Sequence, residues 1–172
     1  LIDNNSAHAL LWLGEFERAA DRMKRLIAQV GDGFFVICET YRALADALVG
    51  LGQYEEALGC VAKSLTLAEE SSNQEVVADA WRTCGIVLSC LGEMRTVNGI
   101  ECDADGCFAK SIEIFKLIEM RANVAHVLHN MSVHERNRGN EARSRELLDQ
   151  AAAISRELGV NTEAKTPYFR LR

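Results

Sequence analysis

Four glycines, Gly14, Gly52, Gly92 and Gly139, punctuate the chain at intervals of 38, 40 and 47 residues, and the first three directly follow Leu13, Leu51 and Leu91. A glycine just past a helix takes the left-handed conformation without a side-chain penalty, so each marks the point where one helix stops and the chain turns back. Five residues beyond the first two glycines stands a small residue, Ala19 and Ala57, followed four later by Met23 and Val61. The third unit shows the same pattern seven residues late, as Ala104, Phe108 and Ser111, and the fourth resumes the normal offset with Ser144, Leu148 and Ala151. Recurrence of one supersecondary unit means that no unit buries its apolar face alone, and that neighbours must stack.

Trp81 to Gly92 is the fullest version of the unit. Trp81, Cys84, Gly85 and Leu88 fall at i, i+3, i+4 and i+7, one face of a helix. A mid-helix glycine costs roughly 1 kcal/mol against alanine, so Gly85 is expected where a second helix approaches closely. Tyr41, Leu44, Ala45 and Leu48 form the equivalent stripe one unit earlier, facing Tyr54, Ala57, Leu58, Val61, Leu65 and Ala68.

Together these positions resemble the tetratricopeptide repeat, whose first helix carries Trp-x2-Leu-Gly-x2-Tyr; here Cys84 stands for Leu and Leu88 for Tyr. The resemblance covers residues 1 to about 159 and rests on Gly14, Tyr41, Gly52, Ala57, Trp81, Gly85, Gly92, Ala104, Phe108 and Gly139. The period exceeds the usual length of about 34 residues and the closing proline is missing, which is similar to the longer-period repeats of bacterial signalling and transcription-regulator proteins. The implied fold is all-α, a right-handed solenoid of four helical hairpins. First helices are expected near 2–13, 34–51, 73–91 and 122–138, second helices near 15–30, 54–70, 104–119 and 141–158. The repeats then span 1–31, 34–71, 73–119 and 122–159, with a tail over 160–172. Ser72 and Glu75 fit a capping box opening the third hairpin.

Two stretches depart from the pattern. An insertion at 93–103, continuing in polar residues to Gly106, reads as an exposed loop or an overlong connection projecting from the inter-helix edge. Its Asp103, Asp105 and Gly106 form either a polar turn, the preferred reading, or part of a cation site lacking the distal glutamate of a calcium loop. In the fourth unit Glu135 and Arg138 occupy positions that hold leucines earlier. Either the array ends there with a wet last turn, or Pro167-Tyr168-Phe169 of the tail docks on it.

Chemistry-bearing motifs are sparse. Cys38, Cys60, Cys84, Cys90, Cys102 and Cys107 show no C-x2-C spacing and read as buried reduced thiols, although Cys102 and Cys107, at the insertion, are placed to form a disulfide or contribute to a metal site. His126 and His129 share a helix face, with His134 further along, and read as groove lining rather than as zinc ligands. No phosphate cradle or nucleophile elbow appears, so no enzyme, cofactor or metal is expected. Hydrophobic residues make up 48% and no apolar run approaches a membrane span. The start, Leu1-Ile2-Asp3, has no signal layout and reads as the beginning of a piece excised from a longer cytoplasmic protein. Charge is polarised, −9 over residues 1–108 and +3 over 109–172. Arg136, Arg138, Arg143 and Arg145 gather at the last hairpin turn, suiting an acidic protein segment better than nucleic acid.

The resemblance implies a concave contact surface made by first helices. Carried over by position, it comprises Asn4 and His8, then Glu39, Arg42 and Asp46, then Asp79, Arg82 and Ser89, then His126, His129 and Arg136. Arg42 and Arg82 are equivalent and would meet carboxylates of a bound segment, unless Arg42 is engaged with Glu39 and Asp46 along its own helix. The expected function is a protein–protein interaction scaffold gripping a peptide or partner protein within a larger regulator. A peptide-sensing domain controlling an attached output domain and a homo-oligomerisation module are the alternatives.

Overall fold

A computed structural model describes residues 2–31, 36–159 and 169 of the chain. Among these residues eight helices follow one another as α1 (Ile2–Trp12), α2 (Phe16–Val30), α3 (Ile37–Gly50), α4 (Tyr54–Glu70), α5 (Gln74–Leu91), α6 (Ala104–Leu117), α7 (Arg121–Asn137) and α8 (Glu141–Leu158). Two short strands, β1 (Arg95–Val97) and β2 (Ile100–Cys102), separate α5 from α6. The helices pair as antiparallel hairpins α1–α2, α3–α4, α5–α6 and α7–α8, and each hairpin packs on the next. The result is an all-α solenoid, as the repeat pattern requires.

Local chemistry explains the turns. Gly14, Gly52, Gly92 and Gly139 all sit at φ between 74 and 85°. In three hairpins the next residue, Glu15, Gln53 or Asn140, donates its backbone N–H to the carbonyl of Leu10, Leu48 or Glu135 at 2.9 Å. This six-to-one bond satisfies an orphan carbonyl and fixes the exit angle of the helix. The third hairpin leaves the pattern at this point: Gly92 donates to the Leu88 carbonyl at 2.8 Å, and Glu93 leads into the insertion. Between hairpins the left-handed position falls to Ser72 (φ 55°) and Glu119 (φ 58°), which carry side chains. The first helix of the third hairpin is capped by Asn73, whose side chain accepts from the Val76 N–H at 3.2 Å. That displaces the capping box expected from Ser72, because Ser72 lies in the left-handed turn and cannot also be the extended cap residue.

The core runs along the hairpin interiors. Ala19, Met23, Ala57, Val61, Phe108 and Leu65 are all fully buried, whereas in the last helix the buried leucine is Leu147, with Leu148 only half-buried. The anchor Trp81 is 3% exposed, and the Lys110 ammonium lies 5.2 Å from its ring centroid. What approaches Gly85 is an aromatic ring rather than a helix backbone: a Cβ there would fall 2.7 Å from Cδ1 and Cε1 of Phe108.

The insertion is corrected from a projecting loop to an antiparallel β-hairpin that lies against the array. Arg95 pairs with Cys102, Thr96 with Glu101 and Val97 with Ile100. Asn98 (φ 49°) and Gly99 (φ 77°) make the two-residue turn, the combination that suits the twist of a tight hairpin. Val97 and Cys102 are buried, the Asn98 amide donates to the Ala62 carbonyl (3.3 Å) and to Thr66 Oγ1 (3.2 Å), and Arg95 bonds Glu55 at 2.7 Å. All of these partners lie on α4, so the hairpin bridges the second and third repeats.

At the C-terminal end Glu135 accepts from the Asn140 amide at 2.7 Å and Arg138 is exposed, so the last turn of α7 is wet. Of the tail, Phe169 alone lies within the described residues, and it is buried. The expectations for Pro167 and Tyr168 fall outside the described residues.

Candidate functional site

First helices touch the first helices of the adjoining hairpins, α1 to α3, α3 to α5 and α5 to α7, and so line the inner side of the stack. Along this line runs a polar ladder. Arg42 donates to Asp46 on its own helix (Nη1 to Oδ2, 2.6 Å), and its Nε lies 4.0 Å from Asp79 on α5. Arg82 donates from Nε to Asp79 Oδ1 at 3.0 Å, places Nη2 3.5 Å from Asp46 and donates from Nη1 to the Asn130 side chain of α7 at 3.3 Å. Thr83 Oγ1 donates to Asp46 Oδ1 at 2.9 Å. One carboxylate from α3 thus serves two arginines and a hydroxyl from two successive repeats.

These groups are interior. Asp46 and Arg82 are each 2% exposed and Arg42 is 8% exposed, so the expectation that both arginines reach a bound segment is corrected. Their partners are Asp46 and Asp79, which hold adjacent first helices in register. The part of the ladder that meets solvent is its edge. The Glu39 carboxylate is 41% exposed and lies 3.5 Å from His8 Nε2, while Asp79 retains 24% side-chain exposure. His126 and His129 are half-buried, and Arg136 sets its Nε 3.6 Å from Glu141. Ser89 on α5 meets His134 Nδ1 on α7 at 2.7 Å. Asn4 lies on α1, but its side chain is outside what is described.

Electrostatics follow from the same packing. Burial would raise the Asp79 pKa, but Arg82 and then Arg42 outweigh it and hold the carboxyl below its ordinary value. Burial, with Arg82 beside it, pushes His126 down to about 4. His8, His129 and His134 are lowered too, in each case chiefly by burial. At neutral pH these imidazoles are therefore neutral, and the Asp79 carboxyl near His126 is ionised.

A second concavity, of about 370 Å³, opens where the insertion meets α7, with Ser89, Met94, Asp103, Asp105, His134 and Arg138 on its walls. Asp103 is the N-cap of α6, accepting from the Gly106 N–H at 2.8 Å, and Asp105 pairs with Arg138 at 3.1 Å. Both carboxylates flagged in the sequence are thus engaged as cap and ion pair, and the polar turn expected there is corrected to the start of α6, whose first turn holds Asp105 and Gly106. Arg143 likewise pairs with Glu146 at 2.9 Å. Much of the C-terminal arginine cluster is thereby neutralised within the chain.

All six cysteines are free thiols. Three of them, Cys84, Cys102 and Cys107, meet in the interior of the third repeat, a convergence that linear spacing does not reveal because they lie on α5, β2 and α6.

Among the described residues no helix is long and apolar enough to cross a membrane. Residues 124–158, which make up most of α7 and all of α8, match the family model described as tetratricopeptide repeat. No curated protein matches the chain.

Proposed function

We propose that this chain is a tetratricopeptide-repeat protein–protein interaction scaffold, a reading supported by the family match over residues 124–158 and by the recurring hairpins, and that its concave groove receives a partner segment bearing basic side chains, as part of a larger regulatory protein. The observation that carries this reading is the division of the ladder. The guanidinium groups of Arg42 and Arg82 are buried against Asp46 and Asp79, while the Glu39 carboxylate is 41% exposed and Asp79 keeps 24% side-chain exposure. A segment entering along α3 and α5 meets carboxylate oxygens that accept from lysine or arginine. The charge of −9 over residues 1–108 favours the same partner at longer range and speeds encounter.

The test is selection of binding peptides from a random library by the whole chain, followed by affinity measurement at two salt concentrations. Selected sequences should be enriched in Lys and Arg. Glu39→Lys should weaken their binding about tenfold and flatten its salt dependence, whereas Glu113→Lys on exposed α6 should not. Peptides enriched in acidic residues, or binding lost in Glu113→Lys and kept in Glu39→Lys, would move the contact surface off the groove.

A further inference from the structure

The Sγ atoms of Cys84, Cys102 and Cys107 all lie within 4.8 Å of one another, with Cys84 and Cys107 3.5 Å apart. The residues are 0%, 5% and 0% exposed respectively. They come from three separate elements: the first helix of the repeat, the last residue of the inserted β-hairpin and the second helix. Among the described residues no fourth His, Cys, Asp or Glu donor joins the group. Sulfur atoms around a common ion at roughly 2.3 Å in a trigonal arrangement stand about 4 Å apart, so closure onto an ion asks for shifts of less than about 1 Å.

We infer that these three cysteines form a binding site for a soft ion that takes three sulfur ligands and no fourth, with trivalent arsenic or antimony the best match. Three arguments select that class. Thiolates favour soft ions over hard ones. Structural zinc asks for four protein ligands, and the cluster supplies three. A buried site is least costly when its contents are neutral: three thiolates leave a net charge of −2 on Cu(I) and −1 on Zn(II), but none on As(III).

Loading is a ligand exchange with no redox step. In arsenous acid each As–O bond is replaced by an As–S bond. Each displaced hydroxide leaves as water with the proton of the thiol that replaces it. Arsenic stays trivalent throughout. The bound ion would fasten the inserted hairpin to both helices of the third repeat.

The experiment uses the whole reduced chain with sodium arsenite, and in parallel arms with Cu(I) and Zn(II). Native mass spectrometry should show one arsenic taken up with three hydrogens lost, alkylatable thiols should fall from six to three, and peptide mapping should place the protected ones at Cys84, Cys102 and Cys107. Cys102→Ser, checked for helix content, should bind at least tenfold more weakly, and Cys60→Ser should bind as wild type. The site as proposed is overturned by no uptake, by protection at other cysteines, by a Cys84–Cys107 disulfide persisting in reductant, or by four-coordinate zinc bound in preference to arsenite. Mapping on the wild type decides the matter even if Cys102→Ser fails to fold.

Discussion

Asp46→Asn isolates the charge at the centre of the ladder while changing almost no volume. Asp46 faces Arg42 at 2.6 Å, Arg82 at 3.5 Å and Thr83 at 2.9 Å, and is nearly inaccessible to water. Removing one partner of a buried pair costs roughly 3–5 kcal/mol, because the remaining charge stays desolvated without compensation. Here two features favour the lower end. Asp79 still neutralises Arg82 at 3.0 Å, and an asparagine oxygen still accepts one hydrogen bond. A loss of about 3 kcal/mol, at a urea slope of about 2–3 kcal/mol/M, lowers the unfolding midpoint by about 1 M. Because repeat arrays can unfold in steps, the midpoint should be followed by both helix signal and Trp81 fluorescence. Added salt distinguishes the interior from the surface: a buried pair is barely screened, so the difference between variant and wild type should persist in 1 M NaCl. A midpoint within about 0.2 M of wild type, or a difference that salt erases, would mean that Arg42 and Arg82 are solvated and available to a partner after all.

Gly85→Ala places a methyl 2.7 Å from the buried Phe108 ring, so overpacking of about 1–3 kcal/mol should outweigh the roughly 1 kcal/mol gained in helix propensity. Adding Phe108→Leu should recover part of that loss, and thermal melts showing the single variant more stable than wild type would contradict the packing. Trp81→Ala, emptying a site that is 3% exposed, should cost about 3–5 kcal/mol by urea unfolding, and a change under 1 kcal/mol would remove Trp81 from the anchor role. His126 is ordinarily half-protonated at 6.5 but is held at about 4 in the fold. A depressed imidazole leaves its contribution intact above 6.5 and loses it as pH falls from 6.5 toward 4, up to about 3 kcal/mol. Urea midpoints should therefore drop between pH 7 and pH 5, and His126→Gln should reduce that drop; an unchanged profile in the variant would assign the acid sensitivity to other groups.

Legibility in the sequence tracked the range of the interactions. The hairpin turns depend on a glycine and the residues within one helical turn of it, so Gly14, Gly52, Gly92 and Gly139 could be read directly. Turns between hairpins could not, because Ser72 and Glu119 adopt a conformation their side chains disfavour and only the surrounding structure imposes it. The Asn98-Gly99 hairpin carried a local signal, but strands of three residues each offer too little alternation to separate them from a loop. Arg42 and Asp46 have the i, i+4 spacing of a surface ion pair. Their burial is decided by Thr83 and Arg82, 36 or more residues away, and no linear pattern reports that. Two members of the cysteine trio, Cys102 and Cys107, could be paired from the sequence, but Cys84 joins them only through the fold, since it sits on α5. Gly50 is a further case: a Cβ there would meet the Phe16 ring at 2.5 Å, a contact made across two repeats.

Why the inner line of the array is charged at all can be asked by experiment. Apolar side chains on adjacent first helices tolerate sliding, since any register that buries them is acceptable. An Asp46 that must satisfy Arg42, Arg82 and Thr83 together admits one register, and Arg82 extends the constraint to Asn130 in the next repeat. Such a ladder gives specificity more than stability, because two desolvated guanidinium groups offset most of what their ion pairs contribute. The quadruple variant Arg42→Met, Asp46→Leu, Asp79→Asn, Arg82→Met removes the charges together and leaves no ion stranded. It should be at least as stable as Asp46→Asn and close to wild type in urea, even though it deletes both arginines that the single variant merely perturbs. Its amide exchange along α3 and α5 should be faster than wild type at equal global stability, as sliding becomes permitted. If the quadruple variant is instead several kcal/mol less stable than Asp46→Asn, the ladder is a net source of folding energy and the register argument fails.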